Sequence, residues 1–312
     1  MPETAKVAWL PYADAAEAAD RLGGIPDGVE VHGFKDEGDW PDSIGEVEFF
    51  VVPYLKGPDV LRRAEEMTSL KVVQTLTAGV ENYVPAVPEG VQLCNAAGVH
   101  DASTAELALA LALASGLHLD DFARLQTTGT WQPRFGTALA DRRVLVLGYG
   151  RIGAPIEARL AGFEVASVTR VARRARDGEP VVHAIDDLPQ LLPEADVLFV
   201  IAPHTPQTEG ILGAEQLALL PDGALVVNVA RGKLVDTDAL LAETSSGRLH
   251  AALDVTEPEP LPTDHPLWRV PNVLIAPHVG GASSAFWPRA DRLVAAQLRR
   301  FAAGEPLENV IS

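Results

Sequence analysis

Short apolar runs alternate with stretches of helical periodicity along the whole chain. In the first 98 residues, the runs 6–10, 29–34, 47–52, 72–76 and 91–94 read as strands. The stretches 13–22 and 59–67 read as helices. A long helix is expected from Ser103 to about Gln126, with Ser103 as its cap and Glu106 three residues on. Its first half is apolar nearly all round, which predicts burial. A second series follows with strands at 144–147, 165–168, 197–201, 225–229, 251–253 and 273–276, each apolar enough to be covered on both faces. An amphipathic helix at 285–303 closes the chain. Strand and helix alternating at this interval predict α/β architecture, with two doubly wound parallel sheets.

Composition narrows the class. The 312 residues are 47% hydrophobic and 22% charged, and carry a formal charge of −18. Such a balance fits a two-domain globular protein and would repel nucleic acid or an anionic membrane. A lone cysteine, Cys94, can form neither an internal disulfide nor a thiolate cluster. The opening residues lack a signal-peptide pattern, so a cytoplasmic location is expected. No histidine pair has metal-ligand spacing, and no metal is expected. The charge is uneven, with −10 in residues 1–98 and −8 in the other 214. The densest basic cluster is Arg170, Arg173, Arg174 and Arg176.

The sharpest motif is Gly148-Tyr149-Gly150-Arg151-Ile152-Gly153, which follows an apolar strand and opens a helix. Gly148 permits a tight turn, Gly150 lets backbone approach a pyrophosphate, and Gly153 lets helix and strand pack closely. This pattern expects an acid about 20 residues later, to bind the ribose hydroxyls. Thr169 and Arg170 stand there instead, with Arg173 and Arg174 beyond. Guanidinium pairs with a 2′-phosphate where a carboxylate would repel it, so NADP is expected, with NAD possible.

Polar residues punctuate the carboxyl ends of the later strands, where open α/β sheets bind ligands. They include Ala202-Pro203-His204, Val229-Ala230-Arg231, Asp254 with Glu259, and His278. Arg231 can clamp a carboxylate. His278 is a candidate acid/base, and Glu259 a candidate partner for its ring. Tyr54, Leu55, Leu76, Trp287 and His100 are candidate walls of a substrate pocket, although Trp287 equally suits packing and His100 a hinge.

With Leu-Thr-Ala-Gly-Val-Glu-Asn at 76–82, Asn-Val-Ala-Arg-Gly at 228–232, Leu-Asp-Val-Thr-Glu-Pro-Glu-Pro at 253–260 and Pro-His-Val-Gly-Gly at 277–281, the chain resembles the D-isomer-specific 2-hydroxyacid dehydrogenases. The resemblance implies a Rossmann cofactor domain, 99–282, inserted in a flavodoxin-like substrate domain, 1–98 plus 283–312. It implies catalysis by Arg231, Glu259 and His278, and carboxylate binding by the amides of Ala78, Gly79 and Val80. It places Asp254 near the nicotinamide, Gly280 among the cofactor contacts, and a homodimer partner against the long helix. The implied reaction is hydride exchange between NADP(H) and a 2-oxo acid or D-2-hydroxy acid, with glyoxylate and hydroxypyruvate as the default substrates. A nucleotide-sensing corepressor and a phosphite-oxidising enzyme are the alternatives on the same fold.

Overall fold

A computed structural model describes residues 5–38 and 40–311. The chain divides into two compact units, residues 1–100 with 284–312, and residues 101–283. The sequence reading puts these boundaries at 98 and 282.

The first unit is a five-stranded sheet with β1 (Lys6–Leu10), β2 (Val29–Gly33), β3 (Val47–Val51), β4 (Val72–Gln74) and β5 (Gln92–Cys94). The order is β2-β1-β3-β4-β5 and every pairing is parallel, the flavodoxin-like arrangement. Helix α1 (Ala15–Leu22) starts where the Asp14 carboxylate accepts the Ala16 and Glu17 amides, and ends at Gly23, whose φ of 71° only glycine adopts cheaply. The helix expected at 59–67 forms two 3₁₀ turns instead, Pro58–Leu61 and Ala64–Glu66. The chain breaks at Arg63 (φ −114°, ψ 22°), which lets Val60, Leu61 and Met67 all enter the core.

The second unit begins with the apolar helix. It is two helices, α2 (Asp101–Gly116) and α3 (Leu119–Thr127), bent by 65° at His118, whose φ is +56°. Ser103 is not the cap. The helix starts two residues earlier, and the buried Ser103 hydroxyl lies 2.6 Å from the Ser283 hydroxyl. Ala105, Ala108, Leu109, Leu111 and Ala112 are buried against the unit's core, as an all-apolar helix should be. No single described helix is long and apolar enough to cross a membrane.

Seven parallel strands follow: β6 (Arg143–Leu147), β7 (Ser167–Ala172), β8 (His183–Ala184), β9 (Val197–Val200), β10 (Leu225–Asn228), β11 (His250–Leu253) and β12 (Val273–Ile275). Helices α4 (Gly153–Leu160), α5 (Leu188–Leu191), α6 (Ala214–Leu219) and α7 (Thr237–Ser245) connect them. The order β12-β11-β10-β9-β6-β7-β8 reverses between β6 and β9, the Rossmann arrangement with its switch point at the glycine motif. The two-residue edge strand β8 has no counterpart in the apolar pattern, being too short to carry one. Strand β7 runs two residues later at its start and four later at its end than the reading of 165–168.

The chain then returns to the first unit as α8 (Phe286–Ala303), which packs Phe286, Ala290, Val294 and Leu298 into that core. Its one buried polar residue, Gln297, is 0% exposed and faces the equally buried Gln74. Gln297 Nε2 donates to Gln74 Oε1 (2.8 Å) and to the Glu308 carbonyl (2.9 Å), while its Oε1 accepts the Glu308 amide (2.8 Å). Gln74 Nε2 in turn donates to the carbonyls of Thr75 and Asn95. The two amides thus join β4, the chain after β5 and the terminal segment. Gln297→Leu should keep the shape and orphan those groups. Since each buried orphan costs ~1–3 kcal/mol, the urea midpoint should fall well below wild type, and an unchanged midpoint would show that the pair contributes nothing.

Candidate active site

The glycine motif has the shape its spacing predicts. Gly148 has φ +109°, and a Cβ there would lie 2.3 Å from the Ala202 nitrogen, so neither turn nor packing admits another residue. The Gly148 and Tyr149 amides both donate to the Val171 carbonyl at 2.8 Å, which fastens the loop to β7. A Cβ on Gly153 would meet the Gly148 carbonyl at 2.8 Å and Val146 at 3.1 Å, the close helix–strand packing expected of that position. At Gly150 a Cβ would meet nothing within 4 Å. Its bare backbone therefore faces open space at the start of α4, where a pyrophosphate needs room. Ile152 packs in the core beneath, and Arg151 pairs with Asp101 (3.3 Å). The residues present fit a dinucleotide.

The adenosine end needs correction. Thr169 and Arg170 do not stand at the end of β7 but inside it, opposite Leu145 and Val146. Arg170 is committed elsewhere: its Nε donates to Glu157 Oε2 at 2.8 Å, its Nη2 to Glu157 Oε1, and it lies 5.8 Å from the Tyr149 ring. This pairing holds the Glu157 carboxyl below its usual range. The first residues beyond the strand are Arg173 and Arg174, both exposed. Counting a fixed interval from Gly148 fails here because β7 extends to Ala172. Arg176 also serves the loop, donating to the Tyr149 carbonyl at 2.6 Å.

Ala202 and Pro203 follow β9, and Val229 and Ala230 follow β10, all at the carboxyl edge of the sheet. His204 lies 3.3 Å from Glu209. Asn228 ends β10 and is buried. Its Nδ2 donates to the Arg231 carbonyl (2.9 Å) and its Oδ1 accepts the Ala230 amide (3.1 Å), so one amide side chain shapes the turn that carries Arg231. Gly232 follows because a Cβ there would overlap the Thr256 carbonyl at 2.0 Å, where the turns after β10 and β11 press together. Neither Asn228 nor Gly232 stands out in the sequence except as part of the motif around Arg231.

Glu259 and His278 meet through Glu259 Oε1 and His278 Nδ1. That contact raises the His278 pKa above its ordinary value, although burial pulls the other way. Burial pushes Glu259 up, but the His278 ring, helped by the Thr256 backbone and the Arg231 charge, outweighs it, and the carboxyl lies below its usual range. With Nδ1 taken, Nε2 is the nitrogen left to meet a substrate.

His278 itself has φ +52°, an uncommon conformation for a residue with a Cβ. Asp254 holds it there. The buried Asp254 carboxylate accepts the Val279 amide at 2.7 Å and the Gly280 amide at 2.9 Å, while its carbonyl accepts the His278 amide at 2.8 Å. A Cβ on Gly280 would lie 2.8 Å from Asp254 Oδ2. Burial raises the Asp254 pKa and the two amides oppose it. Asp254 and Gly280, expected as cofactor contacts, are thus also the frame of the histidine turn.

In the first unit, the segment after β4 has its carbonyls tied down. The Thr77 carbonyl accepts the Ala96 amide (2.9 Å), the Ala78 carbonyl accepts Asn95 Nδ2 (2.8 Å), and the Gly79 carbonyl accepts the Thr77 hydroxyl (2.9 Å). The amides of Ala78, Gly79 and Val80 have no acceptor among the described residues. Three successive free amides make a concavity suited to a carboxylate. Asn95 escaped the sequence reading, and its only signal was a polar residue directly after a strand. Of the suggested pocket walls, Leu76 is buried in the core, Tyr54 stacks on Phe286 (3.9 Å) and His100 (5.8 Å), and Leu55 is exposed. Trp287 lies beneath Arg21, 4.2 Å away. Among the described residues no His, Cys, Asp and Glu cluster could hold a metal ion.

Residues 107–280 match the family model "D-isomer specific 2-hydroxyacid dehydrogenase, NAD binding domain". The chain is 34% identical over 261 residues to D-3-phosphoglycerate dehydrogenase of Methanocaldococcus jannaschii, a match covering 81% of this chain and 49%, about half, of that longer protein. It is 34% identical over 229 residues to glyoxylate/hydroxypyruvate reductase B of Citrobacter koseri, covering 70% and 71% of the two chains. Among solved structures, a D-isomer specific 2-hydroxyacid dehydrogenase from Xanthobacter autotrophicus Py2 in complex with NADPH superposes with a TM-score of 0.79 at 30% identity, over 99% of this chain and 98% of the other. The chain belongs to the D-isomer specific 2-hydroxyacid dehydrogenase family, and its second unit carries the NAD(P)-binding fold.

The pairing of Glu259 with His278 has a direct test. The His278 ring, followed by NMR titration, should change protonation at lower pH in Glu259→Gln than in wild type, because the neutral amide no longer favours imidazolium while burial still opposes it. An unchanged midpoint would show that Glu259 does not hold the proton.

Proposed function

We propose that this protein reduces a small 2-oxo acid to the D-2-hydroxy acid, with NADPH as the preferred partner. The observation that carries this reading is the imidazole–carboxylate pair of His278 and Glu259, in the same unit as the glycine motif and Arg231. The nicotinamide, when bound, supplies or accepts the hydride.

The chain's own residues do the rest. The Arg231 fork binds the carboxylate of the acid and so orients its carbonyl, and the amides of Ala78, Gly79 and Val80 are the donors that the first unit offers to such an anion. His278, charged through its contact with Glu259, gives its Nε2 proton to the carbonyl oxygen as the alkoxide develops. In the oxidative direction neutral His278 takes that proton back. Glu259 stays ionised throughout and keeps the ring oriented. Glyoxylate and hydroxypyruvate are the first substrates to expect, on the strength of the similarity to the Citrobacter koseri reductase.

The NADP preference rests on Arg173 and Arg174, not on Arg170. Both are exposed at the end of β7, next to the loop that Val171 fastens, and no acid stands at that strand end. A homodimer and a cytoplasmic location complete the proposal. The dimer is supported by the segment between α3 and β6, where Trp131 and Phe135 are 96% and 103% exposed and would gain from burial against a second copy.

The deciding experiment follows NADPH and NADH oxidation in parallel over glyoxylate, hydroxypyruvate, phenylpyruvate and branched 2-oxo acids. Turnover with NADPH favoured is expected. Oxidation of phosphite with no activity on any 2-oxo acid would overturn the substrate class. Arg173→Ala with Arg174→Ala should raise KM for NADPH at least about tenfold, the worth of one charge-assisted contact, and leave KM for NADH nearly unchanged. An equal effect on both coenzymes would remove these arginines from the 2′-phosphate.

A further inference from the structure

Helix α8 is basic in an acidic protein. It carries Arg289, Arg292, Arg299 and Arg300 against one acid, Asp291, while the whole chain has a formal charge of −18. Three of these five charges are accounted for. Asp291 accepts a bidentate pair from Arg21 and a hydrogen bond from the Tyr12 hydroxyl (2.9 Å). Arg289 donates to the Ala285 carbonyl, and Arg300 pairs with Glu305 and Glu308. Arg292 and Arg299 are exposed and have no hydrogen-bond or ion-pair partner among the described residues.

These two arginines line a groove of about 340 Å³ that also includes Arg21, Leu22, Asp291 and Ala295. Seven residues apart, they lie on one face of α8, ~10 Å from each other along its axis. The floor between them is apolar, with Leu22 and Ala295 buried. The only acid in the groove is already neutralised, so the groove as a whole is cationic. Like charges held together over an apolar floor repel each other, and an anion that bridges them removes that repulsion. The groove belongs entirely to the first unit, and none of Ala78, Gly79, Val80, Arg231, Glu259 and His278 lines it.

We propose that this groove between α1 and α8 binds a small organic anion with two or more negative charges, a phosphorylated or polycarboxylate metabolite, held by Arg292 and Arg299. It is a second small-molecule site, separate from the residues assigned to the reaction. The molecule carries its own reporter there, because Arg21 stacks on Trp287 at 4.2 Å and forms one wall of the groove.

The test titrates the whole protein with inorganic pyrophosphate and, separately, with citrate at constant ionic strength, read by calorimetry and by tryptophan fluorescence. Saturable binding is expected, weakened at least tenfold in R292E/R299E. R292Q/R299Q, which keeps the side-chain stems and adds no repulsion, should give a loss in the same direction. In W287F the calorimetric binding should persist while the fluorescence change disappears. Response to pyrophosphate alone would assign the site to phosphorylated ligands, and response to citrate alone to polycarboxylates. Pyrophosphate held at the glycine motif instead would bind R292E/R299E as well as wild type. That result, or no saturable binding of either probe, overturns the proposal.

Discussion

Everything proposed for the histidine depends on one buried carboxylate. A residue with a Cβ held at positive φ costs ~1–2 kcal/mol, and His278 sits at +52°. Asp254 offsets that cost by accepting two successive backbone amides, each a charge-assisted bond worth ~1.5–3 kcal/mol. The same bonds offset part of the cost of burying the carboxylate, whose pKa burial still holds above its usual range. Strain and desolvation are therefore not two separate penalties. Each is relieved by the same pair of hydrogen bonds, so the turn and the buried charge stand or fall together. Gly280 is the third member of the arrangement, since a Cβ there would press on the carboxylate that the turn needs.

A parallel sheet explains why such devices accumulate on one edge. All strand carboxyl ends of the second unit face the same way, so the turns after β6, β9, β10, β11 and β12 are neighbours by topology. Neighbouring turns must then fit one another. Gly148 lies against Ala202, and Gly232 against Thr256, each at distances no Cβ would tolerate. These glycines respond to crowding between backbones, whereas Gly150 is bare toward open space. The three glycines of the motif thus answer the three constraints that its spacing predicts: a left-handed turn at Gly148, open space at Gly150 and close helix–strand packing at Gly153.

Much of this could be read from the residues in order. Eleven of the twelve strands announce themselves as apolar runs, and Arg231, Glu259 and His278 stand out as polar residues at strand ends. What could not be read depends on side chains choosing among partners. Arg170 has the right charge at the counted distance from Gly148, but β7 continues past it and Glu157, on the adjoining helix, captures its guanidinium. Ser103 has the right type and spacing for a cap, but the helix begins earlier and Ser283 takes its hydroxyl. The missed bend at His118 has a different origin, because helical periodicity continues across a residue whose backbone does not. Periodicity reports which face is buried, and it is silent on where a chain turns within a buried stretch.

The free amides of Ala78, Gly79 and Val80 arise from bonds made elsewhere. A peptide whose carbonyl is held turns its N–H outward, since the two point in opposite directions across a planar unit. Thr77, Asn95 and the Ala96 amide hold the carbonyls of this segment, so its three amides are presented together with no side chain directed at a ligand. Asn95 belongs to the segment that Gln74 and Gln297 fasten to α8. Helix α8 therefore contributes to the arrangement of these amides through two buried side-chain amides and one strand end. The strands themselves are held by their ladder, β4 between β3 and β5, so what α8 adds is the tie between β4, the residue after β5 and Glu308.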